Sequence, residues 1–252
     1  MPKKTNTSWG GVSDWYNDVL KDDDSYQKNV ILPNLIRLLN VTRGENILDL
    51  ACGQGYFSAE IAGRGARVIG CDISPELIKI AQSKPAKNLE YKICSAEDLG
   101  IFSDKTMDKI VVVLAIQNIE NVNAVFRECR RVLKRGGEFH LVLNHPSYRI
   151  PGGSEWGWDA EKGIQYRRID KYLSEDKVKI LIHPGSDPTS FTVSFHRPLQ
   201  YYFKLLGKNG FGVVGMEEWI SHRLTASGPR KEAENISRKE IPLFMYIKAL
   251  SL

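Results

Sequence analysis

The chain has 252 residues, 42% of them hydrophobic, and a net charge of +5. That length fits one large domain, or one domain carrying a sizeable insertion, and the apolar content supports a full core and excludes disorder of the chain as a whole. The positive charge is scattered rather than massed, so an anionic partner is permitted and not demanded.

The opening MPKKTNTSWGG lacks the apolar run of a signal peptide, and no stretch approaches the roughly 18 apolar residues of a membrane span. A cytoplasmic chain is expected. Residues 13–40 read as helical, with Ser13 as an N-cap. A second helix over 24–39 carries Tyr26, Val30, Leu35 and Leu38, with Pro33 marking a kink or a break. From residue 45 strands and helices alternate. NILDLA is the first strand and FSAEIAGRG the helix after it. RVIGCD (67–72) is the second strand, followed by PELIKIAQSK with Ser74 as cap and Pro75 in the first turn. NLEYKICSA (88–96) is the third strand, and KIVVVLA (109–115) is a continuous apolar run, as a strand buried on both faces requires. NAVFRECRRVLK (123–134) is helical and EFHLVLN (138–144) is the fifth strand. This alternation predicts a parallel sheet with helices on both faces.

At residue 145 the pattern changes. HPSYRIPGGSEWGWD precedes three strand-like runs, IQYRRIDKYL, KVKILI and FTVSFHR, with SEDK as a turn between the first two. Residues 145–197 read as an inserted antiparallel lid rich in aromatics. PLQYYFKLLGKNGF reads as a helix, and FGVVGMEEW and IPLFMYIKAL as the last two strands. SGPRKEAENISRKE between them reads as an exposed, mobile loop. Cys52, Cys71, Cys94 and Cys129 have no metal-ligand spacing and form no CxxC pair, so they read as reduced, small apolar residues, and no metal site is expected.

Residues 46–58, NILDLACGQGYFS, carry the most functional information. A buried strand ends in a glycine bend and a helix begins, which leaves main-chain atoms open to a ligand. Asp49 stands just before the bend, and Ser58 occupies the position of the third glycine in a dinucleotide fingerprint. A pyrophosphate is repelled by such an acid, whereas a ligand carrying an ammonium and a sulfonium is favoured. A nicotinamide oxidoreductase is therefore disfavoured.

With ILDLACGQG, VIGCDIS, CSAEDL, VVVLAIQNI and RGGEF in order at successive strand ends, the chain resembles a class I S-adenosylmethionine-dependent methyltransferase. It is most similar to the small-molecule branch that includes ubiquinone and menaquinone biosynthesis enzymes. The likeness is strong over about 40–145 and architectural over 198–250. It implies an α/β fold: a doubly wound, mostly parallel, seven-stranded Rossmann-like sheet with an antiparallel last strand. Residues 41–144 and 198–252 then form the core, 1–40 a helical cap and 145–197 the lid. The resemblance implies S-adenosyl-L-methionine as cofactor and S-adenosyl-L-homocysteine as product. Asp49, Ala51, Cys52, Gly53 and Gly55 would face its methionine part, with buried filler as the alternative for Cys52. Asp72 would take the ribose hydroxyls, unless it serves only as an acid favoured at a helix N-terminus. Ile73 would pack on the adenine, and Ser95, Ala96 and Glu97 would line its edge. Ser95 stands where the family often has an acid, and Glu97 is as readily a solvated loop acid. Leu114 and Ala115 would face the transferable methyl, and Tyr16 would close over the cofactor.

NHPSY (144–148) imitates an amino-methylase signature but follows the fifth strand rather than the fourth, so that reading is rejected. His145 is the catalytic candidate, as a general base, with a lid hinge or backbone anchor as the alternative. Asn118, Tyr148, Arg149, Trp156, Trp158 and His196 are the substrate candidates. The aromatics compete with a reading as the lid's own small core or a dimer contact. Arg149, Arg167 and Arg168 suit an anionic acceptor, with a solvated face as the default. The leading reading is methyl transfer to a small, aromatic or ring-containing acceptor by a monomer or homodimer. The alternatives are an RNA or tRNA methyltransferase, disfavoured because no RNA-binding appendage is recognisable, and a cofactor-binding protein without catalysis.

Overall fold

Apolar runs that are hydrophobic at every position leave neither face of a strand suited to water, and they assemble here into one covered sheet. The computed structural model describes residues 23–183 and 187–252. Its strands are β1 (Asn46–Leu50), β2 (Arg67–Asp72), β3 (Leu89–Ile93), β4 (Met107–Val113), β5 (Leu133–Asn144), β6 (Ser154–Asp159), β7 (Ile164–Ile169), β8 (Asp176–His183), β9 (Asp187–His196), β10 (Phe211–Trp219) and β11 (Phe244–Ser251). Seven of them form a sheet in the order β10-β11-β5-β4-β1-β2-β3. Strands β1 to β5 pair in parallel, and β11 runs antiparallel to both β5 and β10. This is the expected fold class. The strand order reverses between β1 and β4, so the crevice at their carboxyl ends is the switch point where such sheets bind ligands.

The helices are α1 (Leu32–Leu39), α2 (Tyr56–Ala62), α3 (Pro75–Gln82), α4 (Val122–Val132), α5 (Leu199–Lys208) and α6 (Lys231–Glu240). Ser74 caps α3 by accepting from the Leu77 amide at 3.3 Å, with Pro75 in the first turn as expected. α4 buries Val122, Val125, Phe126, Cys129 and Val132, one stripe of a 3.6-residue period. Phe126 meets Phe139 edge-on at 5.5 Å, and Phe139 meets Phe211 at 5.3 Å, which ties α4 to β5 and β10. Pro33 does not break its helix. A π-helical turn, Gln27–Ile31, runs directly into α1 and places Pro33 in the first turn, where its missing amide is tolerated. The expected N-terminal helix and Tyr16 lie outside the described residues.

Two expectations are corrected. The segment 164–173 does not pair with 177–182 around SEDK. β7 pairs instead with β6, the SEWGWD segment, and β8 pairs with β9. Gly163 supplies the left-handed residue (φ +64°) of the β6–β7 turn, and Gly157 leaves room for the Tyr166 ring opposite it. The polar stretch after β10 contains α6. Glu232 and Glu234 in its first turn and Arg238 and Lys239 in its last match the helix dipole at both ends.

One polar cluster enters the core. The Lys109 Nζ, on β4, donates to the carbonyls of Leu39 (2.8 Å) and Asn40 (3.1 Å), and sits 3.0 Å from Glu45 and 3.8 Å from Glu138. Glu138 also receives Lys248 at 2.6 Å and the His140 Nε2–H at 2.9 Å. Burial pushes the His140 imidazole below its ordinary value, and the neutral ring accepts from the Tyr246 hydroxyl at 2.7 Å through Nδ1. Burial alone would raise the Glu138 carboxyl, but the hydrogen bonds from His140 and Lys248, with the nearby charges, hold it at about 2. A depressed folded pKa stabilises above the unfolded value and is lost as pH falls through the folded one. Glu138→Gln is therefore expected to cost on the order of 3 kcal/mol at pH 7. The gap between variant and parent is expected to narrow on acidification from pH 4.5 toward about 2. Urea unfolding of both proteins at pH 7 and near pH 3 measures it, and a gap independent of pH would remove Glu138 from this role.

Candidate functional site

The bend after β1 is built from left-handed residues: Ala51 (φ +57°), Gly53 (φ +57°) and Gly55 (φ +78°). Leu114 adopts φ +52° just after β4, the neighbouring strand. Two side-chain-bearing residues in this region, at adjacent strand tips, are the kind of local strain that gathers at ligand sites. Tyr91 of β3 lies beneath the bend. A Cβ at Gly55 would fall 2.1 Å from its hydroxyl oxygen, and one at Gly70 would fall 2.7 Å from its ring. The Tyr91 hydroxyl donates to the Gly55 carbonyl at 3.3 Å. The protein's own packing thus requires glycine at 55 and 70.

Asp49 is 2% exposed and accepts a 2.5 Å hydrogen bond from the Ser58 hydroxyl. Burial pushes its carboxyl up to about 7, and the charge of Asp72 adds to the shift. Asp72, at the tip of β2, is 8% exposed. Its Oδ2 accepts from the Gly53 amide and its Oδ1 from the Ser74 amide, each at 2.9 Å. Burial raises its carboxyl as well, and these amides oppose the shift. Each Asp72 oxygen keeps acceptor capacity for a further donor. Among the described residues neither carboxylate has an ion-pair partner.

Sequence reasoning passed over Gln54 and Gln117. Gln54, inside the bend, is 5% exposed and neither of its amide atoms has a hydrogen-bond partner. Gln117 donates to the Leu114 carbonyl at 2.7 Å, while its Oε1 is buried without a partner. An unmet buried polar atom costs about 1–3 kcal/mol, so such atoms at a strand tip are fitted for a ligand. The legible signal was an amide side chain enclosed between two glycines.

The remaining strand-tip residues gather at the same edge. Cys52 donates its amide to the Cys71 carbonyl at 3.0 Å, and burial pushes both thiols toward the protonated form, for Cys71 after its hydrogen bond with Cys94. Ile73 follows β2 directly, and Ser95, Ala96 and Glu97 follow β3. Ser95 Oγ accepts from the Glu97 amide at 3.2 Å, and Glu97 Oε1 accepts from the Asn121 amide at 3.1 Å, holding the start of α4. Ala115 precedes a 3-10 turn, Ile116–Asn118, closed by the Asn118 amide on the Ala115 carbonyl at 2.8 Å.

Beyond β5, His145 is 3% exposed with both ring nitrogens engaged. Nδ1 accepts from the Ser147 amide at 3.2 Å, and Nε2–H donates to Glu218 at 2.6 Å. Its own amide donates to the Leu243 carbonyl at 2.9 Å, and Tyr148 packs on the ring at 4.7 Å. The ring is thus held from both nitrogens, beside the start of the hairpins. Arg167 covers Trp156 at 5.2 Å, and Arg230 covers Trp158 at 4.7 Å. Trp158 lines a groove against α6 with Ile164, Ala233 and Ile236, away from Trp156's partner. His196 is buried and donates to the Tyr172 carbonyl at 2.8 Å inside the hairpin base. Among the described residues no three His, Cys, Asp or Glu side chains form a metal-binding cluster, and no helix is long and apolar enough to cross a membrane.

A family profile described as "Methyltransferase domain" matches residues 48–141, the span from β1 into β5 that holds these strand tips. A demethylmenaquinone methyltransferase of Tropheryma whipplei (strain Twist) is 35% identical over 113 residues, 44% of this chain and 46% of that protein. A ubiquinone biosynthesis O-methyltransferase of Xanthomonas oryzae pv. oryzae (strain PXO99A) is 31% identical over 128 residues, 48% of this chain and 54% of that protein. The chain thus spans about half the length of the curated relatives it matches. The crystal structure of an S-adenosylmethionine dependent methyltransferase from Mesorhizobium loti superposes with a TM-score of 0.69 at 27% identity, covering 86% of this chain and 96% of that one. Residues 48–141 thus match a methyltransferase domain, and the fold around them is similar to that of an S-adenosylmethionine dependent methyltransferase.

Proposed function

We propose that the protein transfers a methyl group from S-adenosylmethionine to a small, aromatic or ring-containing acceptor. One observation carries the reading: two buried carboxylates, Asp49 and Asp72, stand at neighbouring strand tips, and among the described residues neither has a cationic partner. A ligand with a positive charge and paired hydroxyls meets what both lack. The residues present fit that cofactor. Asp72 retains acceptor capacity for ribose hydroxyls, and unpaired Gln54 and the bend from Ala51 to Gly55 suit an amino acid's polar groups. Ile73 suits one face of the adenine. Ser95 and Ala96 suit its edge, where Glu97 contributes through Oε2, its Oε1 being held by Asn121. Leu114 and Ala115 face the reacting methyl.

The bound cofactor supplies an electrophilic methyl on a sulfonium, with a good leaving group. The chain's share of the work is positional. It holds the acceptor within about 3–3.5 Å in line with the breaking bond, which converts an encounter into an intramolecular step. The two hairpins of 145–197 act as the lid that excludes water. His145, with both nitrogens engaged, serves that lid as its hinge rather than as a base.

Calorimetric titration with S-adenosylhomocysteine tests the reading directly, and absence of saturable binding would sink it. Asp72→Ala is expected to weaken that binding about 10–100-fold, since charge-assisted hydrogen bonds contribute about 1.5–3 kcal/mol each. Unchanged affinity would remove Asp72 from the site.

Asp49 gives the binding a pH dependence. Its folded pKa, about 7, is raised above the ordinary 3.8, so its contribution to the stability of the free protein is complete below the lower value and lost as pH rises through about 7. A cationic ligand favours the ionised form and therefore binds better as pH rises. Affinity for S-adenosylmethionine is expected to grow about tenfold from pH 6 to pH 8, as a single site of that pKa requires. Asp49→Asn is expected to flatten the profile, and a parent profile already flat would contradict this role.

A further inference from the structure

Arg149 lies between β5 and the hairpins. One Nη donates to the Asn144 side-chain oxygen at 2.8 Å, and the guanidinium covers the Phe244 ring at 5.2 Å. Arg167 on β7 donates through Nε to the Tyr148 carbonyl at 2.8 Å and through Nη2 to the Ser154 hydroxyl at 2.7 Å. Both are only partly exposed, and among the described residues no carboxylate stands within ion-pair distance of either. Arg168 beside them is different. It is exposed and pairs with Glu155 at 3.0 Å and Asp170 at 2.9 Å, so the solvated reading belongs to it alone.

The acids nearest this region are already taken. Glu155 holds Arg168, Glu218 holds His145 at 2.6 Å, and Asp24 holds His222 at 2.8 Å and Arg223 at 3.0 Å. Burial lowers the proton affinity of both Arg149 and Arg167, and the charge of Arg167 lowers that of Arg149 further. Glu155 acts on Arg167 only through space, and two neighbouring, partly desolvated cations are costly unless an anion joins them. A guanidinium fork matches a carboxylate in two parallel hydrogen bonds.

Arg149 lies at the junction of β5 and β11 through Asn144 and Phe244, and Arg167 joins it at the neighbouring Tyr148 carbonyl. Phe244 pairs with Asn144, and the Leu114 amide donates to the Val142 carbonyl at 2.8 Å. Phe244, Val142, Leu114 and Tyr26 pack in one cluster. Arg149 therefore stands over Phe244, in the cluster that holds Leu114, which on the proposed reading borders the reacting methyl, and Arg167 stands one residue away at Tyr148.

We propose that the methyl acceptor carries a carboxylate, held by Arg149 and Arg167, with its reacting atom directed toward Leu114. This rests on the methyl-transfer reading and adds the acceptor's charge to it. The test uses benzoate and its neutral analogue benzamide as probes, followed by ligand-observed NMR on the protein saturated with S-adenosylhomocysteine. Benzoate is expected to bind about tenfold more tightly than benzamide or better, as charge-assisted hydrogen bonds require. The preference is expected to vanish in Arg149→Gln and to fall in Arg167→Gln. No benzoate binding, equal binding of the two probes, or a preference that survives both substitutions overturns the inference. Should Arg149→Gln fail to melt cooperatively, Arg167→Gln carries the test. Titration of the parent with S-adenosylhomocysteine separates the two claims. Failure of that binding overturns methyl transfer, and the probe comparison, run without it, still decides the arginine pair.

Discussion

Two carboxylates share the carboxyl edge of the sheet at β1 and β2, both nearly closed to water, and among the described residues neither has an ion-pair partner. Charges of one sign in a poorly solvated place cannot both persist without help. The free protein supplies what help it has through neutral donors: Ser58 to Asp49, and two main-chain amides to Asp72. Asp72 receives the larger share and Asp49 keeps a proton up to about 7. The bend, the amide directions and the position of Ser58 on α2 are arranged around this imbalance. The third-glycine position holds serine because the first acid needs a hydroxyl there.

The opposite imbalance lies a few strands away. Arg149 and Arg167 stand beyond β5 with aromatic rings and neutral acceptors around them, and among the described residues no carboxylate lies within ion-pair distance of either. Among the described residues the acids at β1 and β2 and these two arginines thus lack ion-pair partners, although both kinds of charge are plentiful elsewhere and many are paired. Arg131, for example, is held by both Glu128 and Asp104. Pairing within the protein would stabilise the fold further, and its absence at these two places is what a cationic nucleoside and an anionic acceptor would together relieve.

Most of the sheet could be read from the chain because burial on both faces writes itself as unbroken apolar runs. Residues 67–72 and 211–219 fall where the pattern placed them. The hairpins could not be read so well. A strand with one wet face carries a weak alternation, and SEWGWD, with glycine between two tryptophans, looks like a loop until Tyr166 is seen to fill the space over Gly157. α6 was hidden by its polar composition, since only its charged ends and a narrow buried face mark it as a helix. At the site, the acids and glycines announce themselves by position. Gln54, Ser58 and Tyr91 matter through distances that only folding creates. His145 shows the converse: residue type suggests a base, and only the fold brings the Ser147 amide and Glu218 to its two nitrogens.

The bend's shape follows from packing rather than from a ligand. Tyr91 presses against Gly55 and Gly70 from β3, so the crevice floor is fixed before anything binds. Ala51 and Leu114 hold left-handed conformations that cost about 1–3 kcal/mol each, and such strain survives only where surrounding structure over-determines it. Here that structure is the fully buried register of β1 and β4. A floor held this way cannot adjust to different cofactors, and it presents the same amides and the same acid each time. On the proposed reading, adaptation to an acceptor falls to the elements beyond β5, which meet the rest of the protein through His145 with Glu218, Arg149 with Asn144, Trp158 with Arg230, and Arg197 with the Ile119 and Glu120 carbonyls. On that reading, a rigid cofactor floor beside a separate acceptor wall would let one core serve different acceptors by changing only the wall.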